Sequence, residues 1–441
     1  MHPQDFCKNL DVKIKNIHLY LGVILFLSTS ARLWAGESFS LDDCFKAALK
    51  RSEVLATQQE LVVQAEENYH RALGAILPAV NGSYSYFHQD APGLASSGNT
   101  ESSAGQQTLK IMAAQPLFRG FRDFAALNAA KASITAQEQA RQWAGMQLYS
   151  DVAQAFYTRL AVQKDLDVLD NELALYQKRI KELQDRCTIG RSRITEVLTV
   201  QAARAILKAQ REQIVGQLNV AKEVVAFLTG LDQGIQLEDT EEVPSYIGSL
   251  DSYQAEINAR PDIMAARKNL ESFESNISVA KGAYLPSVDL AGNYYFDRPD
   301  LEKNGAWDVG IAVTLPIFAG GINSSNVKTA ESRKRQSEMQ LSQVQRMALE
   351  EIRSLHHNLE ADMAQLAALQ EAFTISEENY KANIKDYELN LVVNLDVLQA
   401  LTAYQDTERS LEKIRYLTKI DYNKLEAAAA HRLSLMESLE K

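Results

Sequence analysis

The chain lacks helix-breaking residues over long stretches. Proline is absent from 117–243 and from 317–441, and no glycine follows Gly321. Proline and glycine are the residues that most disfavour a helix interior. Their absence excludes frequent turns in these regions and predicts very long helices.

Cysteine is also scarce, and basic residues are fewer than acidic ones, 46 against 57. The 441 residues include 3 cysteines. Cys44 and Cys187 are predicted to lie tens of ångströms apart along the helix axes, which is too far for a disulfide. We therefore expect free thiols. Charged residues make up 23%, which excludes a helical membrane protein. The formal net charge of −11 argues against nucleic acid as a partner.

The N-terminal segment 1–35 is predicted to be a signal peptide. Lys8, Lys13 and Lys15 precede an apolar run over 19–27, and small residues follow. This order is typical of an export signal, and the run is too short for a comfortable transmembrane helix. No small residue followed by cysteine ends it, so we expect no lipid anchor.

The rest of the chain repeats itself. The sequence Gly-Ala-Ile-Leu-Pro-Ala-Val at 74–80 recurs as Gly-Ala-Tyr-Leu-Pro-Ser-Val at 282–288, which is 208 positions later. Pro-Leu-Phe-Arg-Gly at 116–120 recurs as Pro-Ile-Phe-Ala-Gly after 200 positions. Two copies of one unit explain this pattern. We predict a first repeat, a linker, a second repeat and a tail over 36–230, 231–250, 251–433 and 434–441.

Each copy is predicted to place two strands between long helices. Ser40 and Asp43 form the capping-box pattern for a helix from Leu41 to about Leu77. Further helices are predicted over about 121–188, 194–230, 322–388 and 395–430, with another that begins after Arg260. Strands are predicted near 80–89, 107–117, 287–296 and 306–315.

The predicted strands alternate between apolar and polar residues. About ten residues with this alternation match a transmembrane β-strand, although a soluble sheet with one dry face gives the same pattern. Tyr86, Phe296 and Trp307 are candidates for aromatic residues at a membrane interface. Four strands cannot close a barrel. The membrane interpretation therefore requires several chains to pool their strands.

The sequence contains no recognisable catalytic or metal-binding motif. Paired Cys-x-x-Cys, His-Glu-x-x-His and phosphate-binding glycine loops are absent. His356 and His357 are adjacent, so on a helix they point about 100° apart, and we do not expect them to chelate a metal together. We predict no enzyme activity, no cofactor and no metal.

These features resemble the TolC-type outer-membrane efflux proteins over about residues 37–430. The opening Ser40-Leu41-Asp42-Asp43 and the Arg260-Pro261-Asp262 start of the second copy match the family's pattern. The strand boundaries also match: prolines mark the two strand entries, and Pro-x-Phe-x-Gly marks the two exits, at Pro78, Pro286, Pro116, Gly120, Pro316 and Gly320.

The resemblance implies a mainly α fold with a small β part. In that family three copies form a 12-stranded transmembrane β-barrel, continued by a periplasmic α-helical barrel. The resemblance also implies an equatorial belt of short elements, here 231–260 and the C-terminal tail, which includes the equatorial linker 231–250. It also implies a passive exit duct for efflux or type I secretion, located in outer-membrane lipid and docked by a periplasmic adaptor and an inner-membrane pump. A periplasmic adaptor and a structural coiled-coil protein remain the alternatives.

The resemblance also assigns a periplasmic gate to the two helical turns. It places the family's inner-helix tyrosine at Tyr387, the lumen aspartate at Asp396 and a hydroxyl–acid pair at Thr195 and Glu196. The chain departs from the family because Val392 replaces a gating arginine and Gln399 replaces a second acid. We hypothesise that Arg191 and Arg193, in the first turn, supply the missing positive charge.

Overall fold

A computed structural model of the protein describes residues 38–88, 105–298 and 306–432. The predicted signal peptide over 1–35 and tail over 434–441 lie outside the described residues. The first half contains β1 (Ser38–Phe39), α1 (Leu41–Arg51), α2 (Glu53–Gly74), β2 (Ala79–His88), β3 (Gly105–Arg119), α3 (Arg122–Thr188) and α4 (Ile194–Thr229). The second half contains β4 (Gln236–Leu237), α5 (Leu250–Ala255), α6 (Pro261–Gly282), β5 (Ser287–Asp297), β6 (Trp307–Thr314), α7 (Ile322–Glu388) and α8 (Asn394–Ala428).

Two very long helices dominate the molecule, as the lack of helix breakers predicts. Helices α3 and α7 each contain 67 residues, which corresponds to about 100 Å at 1.5 Å per residue. Small side chains let other helices approach α3 closely, since Ala129, Ala132 and Ala136 are buried along it. The mainly helical architecture is the one expected from the sequence.

One predicted helix is wrong in its extent. The helix expected from Leu41 to about Leu77 is broken at Ser52, whose backbone is extended (φ −60°, ψ 109°). The Ser52 hydroxyl accepts the N–H of Leu55 at 3.3 Å and so begins a second helix. Because a serine N-cap stabilises a helix start by about 1 kcal/mol, this residue favours a new start over continuation. The capping box of Ser40 and Asp43 is confirmed.

The two helical hairpins end in turns of the same geometry. Gly190 (φ 73°) and Asn390 (φ 60°) both adopt the left-handed conformation. In each turn the backbone N–H of the following residue donates to the carbonyl five residues earlier. The N–H of Arg191 donates to Arg186 and that of Leu391 to Asp386, both at 2.8 Å. This pattern satisfies carbonyl groups that a helix end leaves without partners.

The strands form one antiparallel sheet in the order β2-β3-β5-β6. The two hairpins meet where β3 pairs with β5, for example Ala113 with Gly292. The register shifts near Pro116, which has no N–H to donate to the ladder. Strands β2 and β6 therefore remain at the two edges of the sheet.

A separate short pairing connects the linker to the first residues that the structure describes. Strand β1 pairs in parallel with β4, so the linker lies beside α1. The hydrophobic core that α1 forms with α3 contains Phe45 and Tyr149, whose rings pack edge to face with centroids 5.1 Å apart. Cys44 and Cys187 are both free, as expected. Within the described ranges, no helix is long and apolar enough to cross a membrane.

Candidate functional site

One side of the sheet, here called the apolar sheet face, carries mainly aliphatic and aromatic side chains. The strand registers align these side chains across all four strands. In β6 the residues Val309, Ile311 and Val313 are 63–67% exposed. The other members are Val80, Tyr84, Tyr86, Leu109, Ile111, Leu290 and Tyr294. Exposed apolar surface that is continuous over four strands marks an interaction site and not a solvated surface.

The opposite side of the sheet is polar. Arg119 forms an ion pair with Asp289 at 3.2 Å, and the amide of Asn293 donates to Asp308 at 2.8 Å. The ammonium group of Lys110 lies 5.6 Å from the centre of the Tyr295 ring. The sheet thus separates an apolar side from a charged side, as the alternation in the sequence predicts.

The three predicted interface aromatics lie at the same end of the sheet. Tyr86 is near the end of β2, Phe296 is near the end of β5, and Trp307 begins β6. All three are 60–68% exposed. The chain order places this end away from the long helices, because the helices join the strands at their other ends. Their role at a membrane interface stays a prediction.

The strand-boundary motifs lie where the sheet joins the helices. Pro78 and Pro286 directly precede β2 and β5, and Pro316 follows β6. Gly120 and Gly320 both have positive φ angles, 65° and 59°. Their surroundings differ, because a Cβ atom at Gly120 would lie 2.3 Å from the carbonyl oxygen of Gly282, whereas Gly320 has no described atom within 4 Å of that position.

At the far end of the helices, Tyr387 is buried in a cluster that joins the two hairpin turns. The guanidinium carbons of Arg179 and Arg186 lie 4.0 and 4.5 Å from the centre of its ring. Arg179 also donates through Nε to the side-chain oxygen of Asn394 at 3.0 Å. These contacts connect α3 with α7 and α8, and we call them the tip contacts.

The predicted gate acids occupy equivalent positions at the two turns. The Asp396 carboxylate is half-buried and accepts the backbone N–H of Val393 at 2.9 Å. Glu196 accepts the Ser192 hydroxyl at 2.6 Å, and Thr195 is exposed beside it. A carboxylate in the first turn of a helix is stabilised by the helix dipole. Asp396 thus caps its helix, whereas Glu196 is held by the Ser192 hydroxyl, and the role of both acids in a lumen stays a prediction.

The cations that contact Tyr387 are Arg179 and Arg186, and the proposal that Arg191 and Arg193 replace the gating arginine stays a prediction. Arg191 and Arg193 are exposed, and within 38–88, 105–298 and 306–432 they form no ion pair. Arg179 and Arg186 lie on α3, about 200 positions before Tyr387 in the chain. Val392, at the position of the missing arginine, packs against the apolar cluster. The sequence contains no signal for the contact of Arg179 and Arg186 with Tyr387, because the two helices are far apart in the chain.

Comparison with known proteins agrees with this architecture. The family model described as "Outer membrane efflux protein" matches residues 45–230 and 252–431. The outer membrane protein TolC of Vibrio cholerae is 25% identical over 64% of this chain and 68% of its own length. The cation efflux system protein CusC of Escherichia coli is 25% identical, and the match covers 66% of each chain. The matched part thus spans about two thirds of these relatives.

The solved structures that resemble this chain include one of CusC, which is described in terms of transmembrane channel formation. It superposes with a TM-score of 0.78 at 20% sequence identity, covering 90% of this chain and 95% of that chain. At this identity the likeness shows a shared fold. The described sheet, long helices and linker together form that fold.

Proposed function

Because the chain belongs to the outer membrane efflux protein family, we propose that it is the outer-membrane exit duct of a tripartite efflux or type I secretion system. The family and its relatives are channels and efflux proteins, which fits a protein without enzyme activity. The doubled helical hairpins and the family match both favour a duct over a periplasmic adaptor. Small-molecule efflux is the function we favour, with metal ions and proteins as further cargo classes.

The observation that carries this proposal is the apolar sheet face together with the two free sheet edges. In lipid, each unpaired backbone N–H or C=O group costs several kcal/mol. In the part of the chain that the structure describes, these groups are unpaired along the outer edges of β2 and β6, so a single chain is unsuited to the membrane alone. We propose that three chains pool their strands into a 12-stranded barrel, with the apolar sheet face towards lipid.

The internal repeat provides a register for the contact between subunits. Strand β6 corresponds to β3 with an offset of 200, and β2 corresponds to β5 with an offset of 208. The observed pair Ala113 and Gly292 then becomes Val313 opposite Tyr84 of the next subunit. Both side chains lie on the apolar sheet face. The neighbouring subunit thus repeats the contact that already joins the two halves of one chain.

The same assembly pools the helices into a hollow cylinder about 100 Å long, which we propose extends into the periplasm. Its end at the two turns is the proposed gate, with Tyr387, Asp396, Thr195 and Glu196 at the narrowing. Its sides offer helical surface to a periplasmic adaptor, which connects the duct to an inner-membrane pump. The repeats 36–230 and 251–433, with the equatorial linker 231–250, are the proposed units of this assembly.

Disulfide crosslinking tests the assembly directly. A chain with Val313→Cys and Tyr84→Cys, with Cys187→Ser to remove the accessible thiol, should form covalent trimers in outer membranes under mild oxidation. In one chain β2 and β6 are separated by three strand spacings, about 14 Å, which is beyond the reach of a disulfide. Any bond between the two new thiols therefore joins different subunits.

The matched control replaces Ser83 by Cys in place of Tyr84. This neighbouring residue points to the other side of the sheet, so it should crosslink poorly with the same partner. The wild-type chain should resist salt and alkaline washing of outer membranes and migrate as a trimer in unheated detergent gels. A chain that fractionates as a soluble monomer, without crosslinks, contradicts the proposed duct.

A further inference from the structure

We infer that His356, His357 and Glu360 on α7 form a binding site for a transition-metal dication. One ligand atom from each residue lies within 4.8 Å of those of the other two. The Glu360 carboxylate oxygen Oε2 is 3.1 Å from Nδ1 of His357 and 3.5 Å from Nδ1 of His356. Ligands that surround zinc tetrahedrally at about 2.1 Å lie roughly 3.4 Å apart, so these separations suit one shared ion.

This inference departs from the expectation that the adjacent histidines do not chelate a metal together. The angle of about 100° between neighbouring helix positions separates the two Cα–Cβ directions, and it says nothing of a third residue. Glu360 lies one turn further along the helix, four positions from His356 and three from His357, and so faces both. The rings are perpendicular, with centroids 6.0 Å apart. Both Nδ1 atoms therefore approach the same carboxylate.

His356 has the hydrogen bonding of a metal ligand held in place. The residue is only 4% exposed, and its Nε2 lies 2.9 Å from the backbone oxygen of Gly248. A carbonyl oxygen only accepts, so Nε2 carries the hydrogen and Nδ1 of the neutral ring presents a lone pair. This is how the second nitrogen of a metal-bound histidine is usually held.

The Nδ1 atom of His356 is buried and has no hydrogen-bond partner in the described chain. It faces the carboxylate of Glu360, which is also an acceptor. Two acceptors that face each other repel, and a buried acceptor without a donor costs about 1–3 kcal/mol. A cation between them removes both penalties. The two chemical candidates are a metal ion and a proton on His356.

The ligand set favours a metal of the zinc, copper or nickel class. Imidazole nitrogens suit these ions, whereas magnesium and calcium prefer sites made entirely of oxygen. His357 and Glu360 have side chains that are 66% and 52% exposed, so an ion can enter from solvent. Three protein ligands leave one position of a tetrahedral site for water or a further ligand.

The site would also fasten the linker to α7. Gly248 accepts from His356, and the ring of Tyr253 in α5 lies 6.0 Å from that of His356. Metal binding to Nδ1 strengthens the donor at Nε2 and thus the bond to Gly248. A bound ion should therefore raise the thermal midpoint of this region, because a ligand that binds only the folded state stabilises it. This inference does not depend on the proposed duct.

Titration of the purified full-length chain in detergent with Zn²⁺, and with Co²⁺ for its visible spectrum, tests the site. Wild type should bind one ion per chain. His357→Ala and Glu360→Gln should each lower the affinity for that ion at least tenfold. The matched control His70→Ala, an exposed histidine on α2, should leave the affinity unchanged. Mg²⁺ at the same concentration should not compete.

Two outcomes would overturn the inference. In the first, wild type and the His357→Ala variant bind Zn²⁺ equally, which places any bound ion elsewhere. In the second, Zn²⁺ leaves the thermal midpoint of the folded wild-type chain unchanged, and Co²⁺ keeps the visible spectrum of the free ion. This outcome assigns the cation to a proton on His356. Both variants alter exposed side chains, and circular dichroism before titration verifies that they fold.

Discussion

At the scale of single residues, the tip contacts depend on Arg179. Its side chain is only 12% exposed, and it meets both the ring of Tyr387 and the side chain of Asn394. A guanidinium group over an aromatic ring contributes about 0.5–2 kcal/mol, and a charge-assisted hydrogen bond contributes about 1.5–3 kcal/mol. Arg179 thus holds the second hairpin against the first, at the end proposed as the gate.

We predict that Arg179→Met loosens this end. Methionine retains much of the apolar packing but removes the charge and the donor. A loss of about 2 kcal/mol shifts an equilibrium between closed and open tips by roughly thirtyfold. Single-channel recordings in planar bilayers should therefore show a larger open fraction for the variant than for wild type.

The control is Arg191→Met, which removes an equally charged but exposed side chain at the adjacent turn. It should leave the open fraction unchanged. If Arg191→Met opens the channel and Arg179→Met does not, the turn arginines supply the gating charge, as the sequence first suggested, and the tip contacts do not hold the gate.

The two kinds of tip residue differ in how well sequence predicts them. The position of Asp396 in a first helical turn is local, and the structure has it capping the helix there. The contact of Arg179 with Tyr387 joins residues that are 208 positions apart, and each helix alone gives no sign of it. The place of Glu360 beside His356 and His357 follows from helix geometry, because residues three and four positions apart share one face.

At the scale of elements, the long helices and the strands follow from local properties. Helices α3 and α7 form where breakers are absent, and the strands form where apolar and polar residues alternate. The break at Ser52 escaped prediction, because a serine within a helical pattern is compatible with both continuation and a new N-cap. The register shift in β3 depends on pairing with β5, which lies in the other repeat.

The junctions between sheet and helices give a prediction that compares two equivalent glycines. A Cβ atom at Gly120 meets the Gly282 carbonyl at 2.3 Å and the Leu285 Cβ atom at 2.8 Å. The positive φ adds strain, so Gly120→Ala should destabilise the chain by about 2–4 kcal/mol. We expect loss of folded protein in outer membranes, measured by protease resistance of the extracted chain.

Gly320→Ala is the matched variant, because its φ is similar but it has free space around it in one chain. If subunits repeat the internal contact, Gly74 of the next subunit fills that space, just as Gly282 does beside Gly120. Gly320→Ala should then yield folded monomers that fail to form trimers in unheated gels. Normal trimers from Gly320→Ala would contradict the proposed equivalence of the internal and subunit contacts.

At the scale of the whole molecule, assembly changes what a single residue can do. One Asp396 is an ordinary helix cap, whereas in the proposed trimer three copies around a narrow pore would form a ring of negative charge. Such rings favour the passage of cations. The chain has Gln399 where a second acid is expected, so the selectivity of this end should depend on Asp396 more than it does where both acids are present.

We therefore predict that Asp396→Asn reduces cation selectivity without unfolding the tip. The asparagine oxygen can still accept the N–H of Val393, so the variant removes the charge and retains the cap. In planar bilayers under a KCl gradient, its reversal potential should move from the potassium value towards zero. Asp396→Glu keeps the charge and should behave like wild type. An unchanged reversal potential in Asp396→Asn trimers would show that the carboxylate acts only as a cap and that the pore takes its selectivity from other groups.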